Sequence, residues 1–183
     1  MVELALARVI EKGTFYLYKN TDITNEKVSR IPQLCKVENF HDSGYVVRLG
    51  QGFNELAIKT GNFYRLDKVL ETNGKIDLEN IMLYLREYAF NYNAYVQHIH
   101  KTLSLILRTN PKELGVYFDE DGYARLAEIV DSLMHREANP YFVKNKWDML
   151  MILTDILKEP NLGYALKSND VTLGRKIRVK LIK

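Results

Sequence analysis

A chain of 183 residues, 46% hydrophobic and 27% charged, can bury about two-thirds of its unfolded surface and has the composition of a globular protein, not a disordered or fibrous one. No stretch approaches the ~20 apolar residues of a membrane span, and MVELALARVIEKG, with Glu3 and no cleavage-site pattern, reads as folded chain and not as a leader. The net charge is only +3, and residues 1–95 hold twelve basic and twelve acidic side chains, so the whole excess lies in the second half.

In chain order, Val2–Lys12 is expected to form a short amphipathic helix, with Leu4, Leu6, Val9 and Ile10 as its apolar side and Gly13 as its stop. The period then changes to two. Thr14–Lys19, Lys27–Val37, Gly44–Gly50, Glu55–Lys59 and Asn62–Leu66 are rich in β-branched and aromatic residues, and Thr60-Gly61-Asn62 predicts a hairpin between the last two. Residues 1–76 therefore read as a small β-rich domain. Its Cys35 is the only cysteine, so no internal disulfide is possible, which suits a reducing cytoplasm. No neighbour would lower its pKa, and it is expected as a small buried hydrophobe.

Asp77 is a good N-cap for the longest helical pattern, because neither glycine nor proline occurs from Leu78 to Thr109. Ile81, Leu85, Tyr88, Tyr92, Tyr95 and Ile99 alternate four- and three-residue steps, the spacing of a coiled-coil seam. Two outcomes are open for it. The seam pairs with a second copy, which makes these six the dimer-interface candidates, or it packs on the chain's own β domain. The polar break Asn91-Tyr92-Asn93 also leaves open whether residues 78–109 are one helix or two. Residues 77–95 are taken as a connecting or dimerisation helix and 96–183 as a second lobe.

Within that lobe, Leu103, Ile106 and Leu107 share one side of a helix that Asn110-Pro111 stops. Asn110 can cap a short turn that has Pro111 at its first position and ends at a left-handed Gly115. Val116-Tyr117-Phe118 reads as extended and Asp119-Glu120-Asp121-Gly122 as a polar turn. Tyr123, Leu126, Ile129, Val130 and Leu133 then mark a second helix. A third follows Asn139-Pro140; its run Met149–Leu153 is apolar on every side, and Trp147 is expected in the core. From Gly163 a hairpin is expected with its loop at Ser168-Asn169-Asp170. In its second strand Arg175, Lys176, Arg178 and Lys180 alternate with Ile177, Val179 and Leu181, which gives one buried and one basic face.

Catalytic groups are not evident. His41, His98, His100 and His135 are scattered, and His98 and His100, two apart on a helix, point to different sides. Asp119-x-Asp121-Gly122 opens like a calcium loop, but Tyr123 and Val130 stand where ligands are needed. There is no phosphate-binding glycine loop and no nucleophile elbow. No catalytic residue, metal or cofactor is expected.

Lys101, Leu103, Ser104, Leu107, Arg108, Pro111, Leu114, Gly115, Asp119, Glu120 and Gly122 match, in order and spacing, the opening of the RNA 2′-phosphotransferase family. Residues 96–182 resemble the winged-helix first lobe of that family, with Gly163-Tyr164-Ala165-Leu166 and Arg175-Lys176-Ile177-Arg178 similar to its closing wing. The fold class expected is thus α+β: a small β-rich N-terminal domain, a long helix and a C-terminal winged-helix-like lobe. In the transferases an arginine of this lobe, matched by Arg108, joins a histidine and further arginines of a second, NAD-binding lobe. Here Thr109 stands where a histidine commonly follows, and the chain reaches Lys183 where that lobe would begin, so the resemblance implies no transferase activity.

Two non-enzymatic classes remain. Arg108, Arg175, Lys176, Arg178 and Lys180 are candidates for binding phosphates of a partner, and a basic wing would make a nucleic-acid-binding regulator. Against this, +3 is small, and Asn139–Leu157 carries only Lys144 and Lys146, with no clustering suited to base edges. A tyrosine-rich seam and a neutral β domain favour a protein-binding module. The whole chain, in its length and its joining of a β-rich domain to a helical lobe, resembles phage-encoded anti-CRISPR proteins that inhibit the RNA-guided nuclease of type II systems. That resemblance implies a homodimer in the bacterial host cytoplasm, without cofactor or membrane contact. Its partner is the nuclease with its guide RNA, and direct binding to free DNA is weak or absent. An inhibitor that mimics DNA in an arginine-lined groove should be strongly acidic. This chain is not acidic, so inhibition is expected to bias the nuclease's conformation instead.

Overall fold

The structure is a computed structural model, and it describes residues 6–22, 28–50, 55–59, 61–66, 71–72, 75–76, 78–109, 112–169 and 176–182. The chain is α+β and divides into two compact units, Met1–Tyr92 and Asn93–Lys183. The division falls within α1, a single continuous helix over Leu78–Thr109. Asn91-Tyr92-Asn93 therefore does not break it.

The first unit holds a five-stranded antiparallel sheet in the order β4-β3-β2-β1-β5. Its strands are β1 (Phe15–Lys19), β2 (Gln33–His41), β3 (Gly44–Leu49), β4 (Leu56–Ile58) and β5 (Asn62–Arg65). Strand β1, between β2 and β5, is buried on both faces from Tyr16 to Lys19. On one face Tyr16, Tyr18, Cys35, Val37, Val47, Ile58 and Phe63 form the core, with Phe63 in ring contact with Tyr16, Tyr18 and Tyr45. On the other lie Leu17 and its cross-strand partner Tyr64.

Two expectations are corrected here. Described residues 6–12 are not helical: Leu6 forms a bridge to Tyr64 and the Ala7 N–H donates to the Phe63 carbonyl at 2.8 Å. The free edge of β5 offers this segment backbone hydrogen bonds, and pairing overrides its weak helical period. Residues 2–5 lie outside the described residues. The second correction is the hairpin at Thr60-Gly61-Asn62, since β4 and β5 occupy opposite edges of the sheet. Four strand spacings laid flat would separate those edges by about 19 Å, more than three linking residues can span at roughly 3.5 Å each. The sheet must therefore curl. Gly61 serves this closure, because a Cβ there would meet the Tyr18 ring at 1.9 Å.

Two further short strands, β6 (Glu71–Thr72) and β7 (Lys75–Ile76), pair with each other before α1 begins.

The second unit starts with the C-terminal half of α1 and continues through a single 3-10 turn, Lys112–Leu114, that ends at Gly115 with φ of +69°. Asn110 and Pro111, the expected cap and first position, lie outside the described residues. Val116 is buried and Phe118 bridges Ala124. The acidic turn closes on its own side chain, as Asp119 Oδ1 accepts from the Asp121 and Tyr123 N–H groups at 3.1 and 2.8 Å. There follow β8 (Ala124–Arg125), α2 (Leu126–Glu137), α3 (Lys146–Lys158), a 3-10 turn, β9 (Tyr164–Asn169) and β10 (Lys176–Leu181). The small sheet has the order β8-β10-β9. Helix, strand, two helices and a hairpin returning beside the first strand make the winged-helix-like lobe. Its core is Leu103, Ile106, Ile129, Leu133, Met149, Leu153 and Val179.

The third helix starts later than expected. Asn139 caps a turn of its own, accepting from the Phe142 and Val143 N–H groups. Asn145 then caps α3, taking the Asp148 N–H at 3.0 Å, while Asp148 Oδ2 takes the Lys144 N–H at 2.9 Å. The pattern is a capping box displaced by one residue, since Asp148 takes the N–H before the cap and not that of Asn145 itself. Trp147, expected in the core, sits in the exposed first turn of α3 and keeps 47% of its surface open. The wing loop also lies elsewhere, because Ser168 and Asn169 belong to β9 and the connection runs through residues outside the described ones.

Candidate functional site

The register of the small sheet defines the strongest constellation. Arg178 of β10 stands opposite Arg125 of β8 on one side and Lys167 of β9 on the other. Directly paired residues share a face of a sheet, and residues two apart along a strand share it too. Lys176 and Lys180 stand two positions before and after Arg178 along β10. The alternate positions, Val179 and its partner Ala124, are wholly buried, so that side of the sheet makes the core, while Arg125 and Lys167 are exposed and Lys180 is part exposed.

Like charges set directly opposite across strands destabilise a sheet. Two carboxylates soften the repulsion. Lys167 Nζ lies 3.3 Å from Asp121 Oδ2, and Arg125 Nη1 lies 3.7 Å from Glu128 Oε1; all four side chains are at least part exposed. Such pairs contribute little in water. The Lys180 ammonium donates to the Asp121 carbonyl at 2.7 Å. Lys167 and Lys180 both sit 5.6 Å from the centre of the Tyr123 ring, within cation–π range. At the β8 end, Tyr117, Tyr123 and Arg125 help line a cavity of about 330 Å³. Cations interleaved with aromatic rings suit phosphates and unstacked bases alike.

Arg175 lies outside the described residues. Arg108, at the exposed end of α1, is not part of the row. It acts on the Tyr164 hydroxyl, whose pKa burial raises while Ser104 and Arg108 pull it back; Ser104 Oγ is 2.7 Å from that oxygen. Tyr164 pairs with Leu181, at the far end of β10 from Lys176. Thr109, where the transferases commonly have histidine, bonds back to the Leu105 carbonyl at 2.8 Å. Three members of the constellation, Arg125, Lys167 and Tyr123, were not sequence candidates. They are isolated in the chain, and only strand pairing brings them to Arg178.

The dimer-interface candidates lie elsewhere. Ile81, Tyr88, Tyr92, Tyr95 and Ile99 are buried within the single chain, and Leu85 is half-buried. Tyr88 stacks on Tyr92 and meets Tyr84 at a tilt along the helix, and Tyr95 stacks on Phe142 with ring centres 5.3 Å apart. The buried side chains of the seam are covered within the single chain, and Tyr95 packs on Phe142 of the second lobe, not on the β domain. Cys35 is fully buried, and its thiol is pushed up to about 12 by that burial. His98 meets Glu137 at 2.6 Å while His100 stands edge-on to Tyr164, so the two histidines diverge. Among the described residues no three His, Cys, Asp or Glu side chains gather as metal ligands, and no helix is long and apolar enough to cross a membrane.

The fold and face define an α+β protein with a basic, aromatic-edged sheet. No protein-family model, curated protein or solved structure matches this chain.

Proposed function

We propose that this protein is a phage-encoded inhibitor that binds the guide-loaded nuclease of a type II CRISPR system in the bacterial cytoplasm and lowers the nuclease's affinity for target DNA. It acts by binding, without catalysis or a cofactor, and it biases the nuclease's conformation instead of imitating DNA. The supporting observation is the row Arg125–Arg178–Lys167. Cations at three paired positions disfavour the sheet, and the exposed pairs of Lys167 with Asp121 and Arg125 with Glu128 return little; a polyanionic partner such as guide-RNA phosphates would use them. The nuclease as carrier of that RNA comes from the resemblance of the whole chain. A homodimer, if one forms, uses a surface other than the covered seam.

A second reading is a winged-helix regulator that binds nucleic acid directly, and it is favoured by the basic hairpin β9–β10 standing as the wing of the second unit. A gel-shift assay with DNA alone, guide-loaded nuclease alone, and both separates the two. The inhibitor reading expects association with the loaded nuclease and loss of its DNA complex, with free DNA unshifted. Tight sequence-specific binding to free DNA, with no effect on the nuclease, would establish the regulator instead. Incubation with 2′-phosphorylated RNA and NAD should leave the phosphate in place.

A further inference from the structure

The first unit carries an opening that involves none of the residues of the basic sheet face. Arg8, Phe40, His41, Ser43, Tyr45 and Lys59 help line an open depression of about 500 Å³ at the tip of the β2–β3 hairpin.

Its charge is one-sided. Arg8 and Lys59 are exposed, and neither forms an ion pair among the described residues, whereas Lys36 and Arg48 of the same sheet are both tied to Glu38. The carboxylate of the hairpin turn, Asp42, is not among the lining residues. Two unpaired cations at one opening favour an anion there.

Its aromatic wall is fixed in place. Phe40 leaves 51% of its surface open and packs on Tyr45 with ring centres 6.1 Å apart. Tyr45 in turn packs on core Phe63 at 4.9 Å. Beneath the rings β3 and β4 are pressed together, because a Cβ on Gly44 would stand 2.1 Å from the Ile58 carbonyl oxygen. The result is a supported, half-exposed ring at an opening that Arg8, Lys59 and Ser43 also line. A simple anion would not use the ring, and an uncharged aromatic would not use the cations. A nucleotide uses both.

We propose that this depression holds one nucleotide of a single-stranded nucleic acid, its base stacked on Phe40 and its phosphate between Arg8 and Lys59. A duplex does not fit the role, since its bases are already stacked on one another.

The test uses the full chain and a short single-stranded RNA carrying 5-iodouridine, with a matched duplex, a free mononucleotide and inorganic phosphate as competitors. The single strand is expected to bind and, on irradiation, to cross-link to the peptide containing Phe40 and Tyr45. Phe40→Ser should weaken binding about tenfold, the effect of losing one base–aromatic stack. Arg8→Gln with Lys59→Gln should lower the log–log salt slope by about 0.7, the value for one phosphate on a single strand. Both cations are exposed, so this pair reports on the site even where Phe40→Ser does not fold, and Phe40→Tyr should retain binding. The proposal is overturned by failure to bind, by cross-links only to residues beyond Tyr92, or by variants that bind like the parent. Competition by the duplex or the free mononucleotide as strong as by the single strand would overturn it equally.

Discussion

The Tyr95 hydroxyl donates to the Glu137 carbonyl at 2.7 Å and so ties the middle of α1 to the last turn of α2. The same oxygen accepts from the Asn139 N–H at 3.3 Å, satisfying both backbone groups where the helix ends. Tyr95→Phe keeps the ring on Phe142 but leaves the carbonyl and the amide unpaired, at a cost of about 1–3 kcal/mol. Urea denaturation should show this as a lower midpoint with an unchanged slope. A variant as stable as the parent would mean that water replaces the bond without loss.

The seam is structural throughout its buried positions, so a charge placed in it should unfold the chain and not merely separate two copies. Ile99 is fully buried, and Ile99→Asp would strand a carboxylate in the core, a loss of more than ~4 kcal/mol. Circular dichroism should show collapse of helical signal. A folded monomer of Ile99→Asp, derived from a dimeric parent in light scattering, would return the seam to an interface.

Much of this architecture was legible in the residues. Period-two runs located β1, β3, β4 and β5 to within a few residues, and the absence of glycine and proline marked the whole of α1. The alternation after Arg175 located β10. What was lost was long-range pairing. Leu6–Lys12 has a helical stripe but sits beside an open strand edge, and no local pattern announces that edge. Thr60-Gly61-Asn62 has hairpin composition, yet the curl of the sheet decides which strands meet. Placing the wing loop at Ser168-Asn169-Asp170 put Lys167 beside a turn and not opposite Arg178. A shift of register was enough to hide the row, because register decides every cross-strand neighbour.

Burial also sets the alkaline limit of the fold. The hydroxyls of Tyr18 and Tyr84 and the thiol of Cys35 are each pushed up to about 12, chiefly by desolvation. Groups whose folded pKa is raised contribute stability that is complete below their ordinary values, 9.0 for the thiol and 10.0 for the phenols. That contribution is lost as pH climbs from those values towards about 12. Urea midpoints should therefore be insensitive to these groups near neutrality and fall steeply above pH 9 to 10. Cys35→Val should blunt the earliest part of the fall, and an unchanged profile would mean that the thiol ionises freely in the fold.

If the cationic row is retained for a partner, relieving it should stabilise the isolated protein. Arg178→Thr puts a β-branched residue between Arg125 and Lys167 and removes the central like charge, a gain of roughly 0.2–1 kcal/mol. The gain should shrink in high salt, where screening already weakens the repulsion. A clear loss of stability would mean that Arg178 has structural partners and that the row carries no unreturned cost.

The salt dependence of binding to the guide-loaded nuclease tests the central claim most directly, comparing the parent with a variant in which Arg125, Lys167, Arg178 and Lys180 are all serine. Engagement of RNA phosphates by this face predicts weaker binding by the variant. It also predicts a log–log slope flattened by about 3, since each single-strand phosphate contact contributes roughly 0.7. Equal affinity with an equal slope for parent and variant would contradict the account.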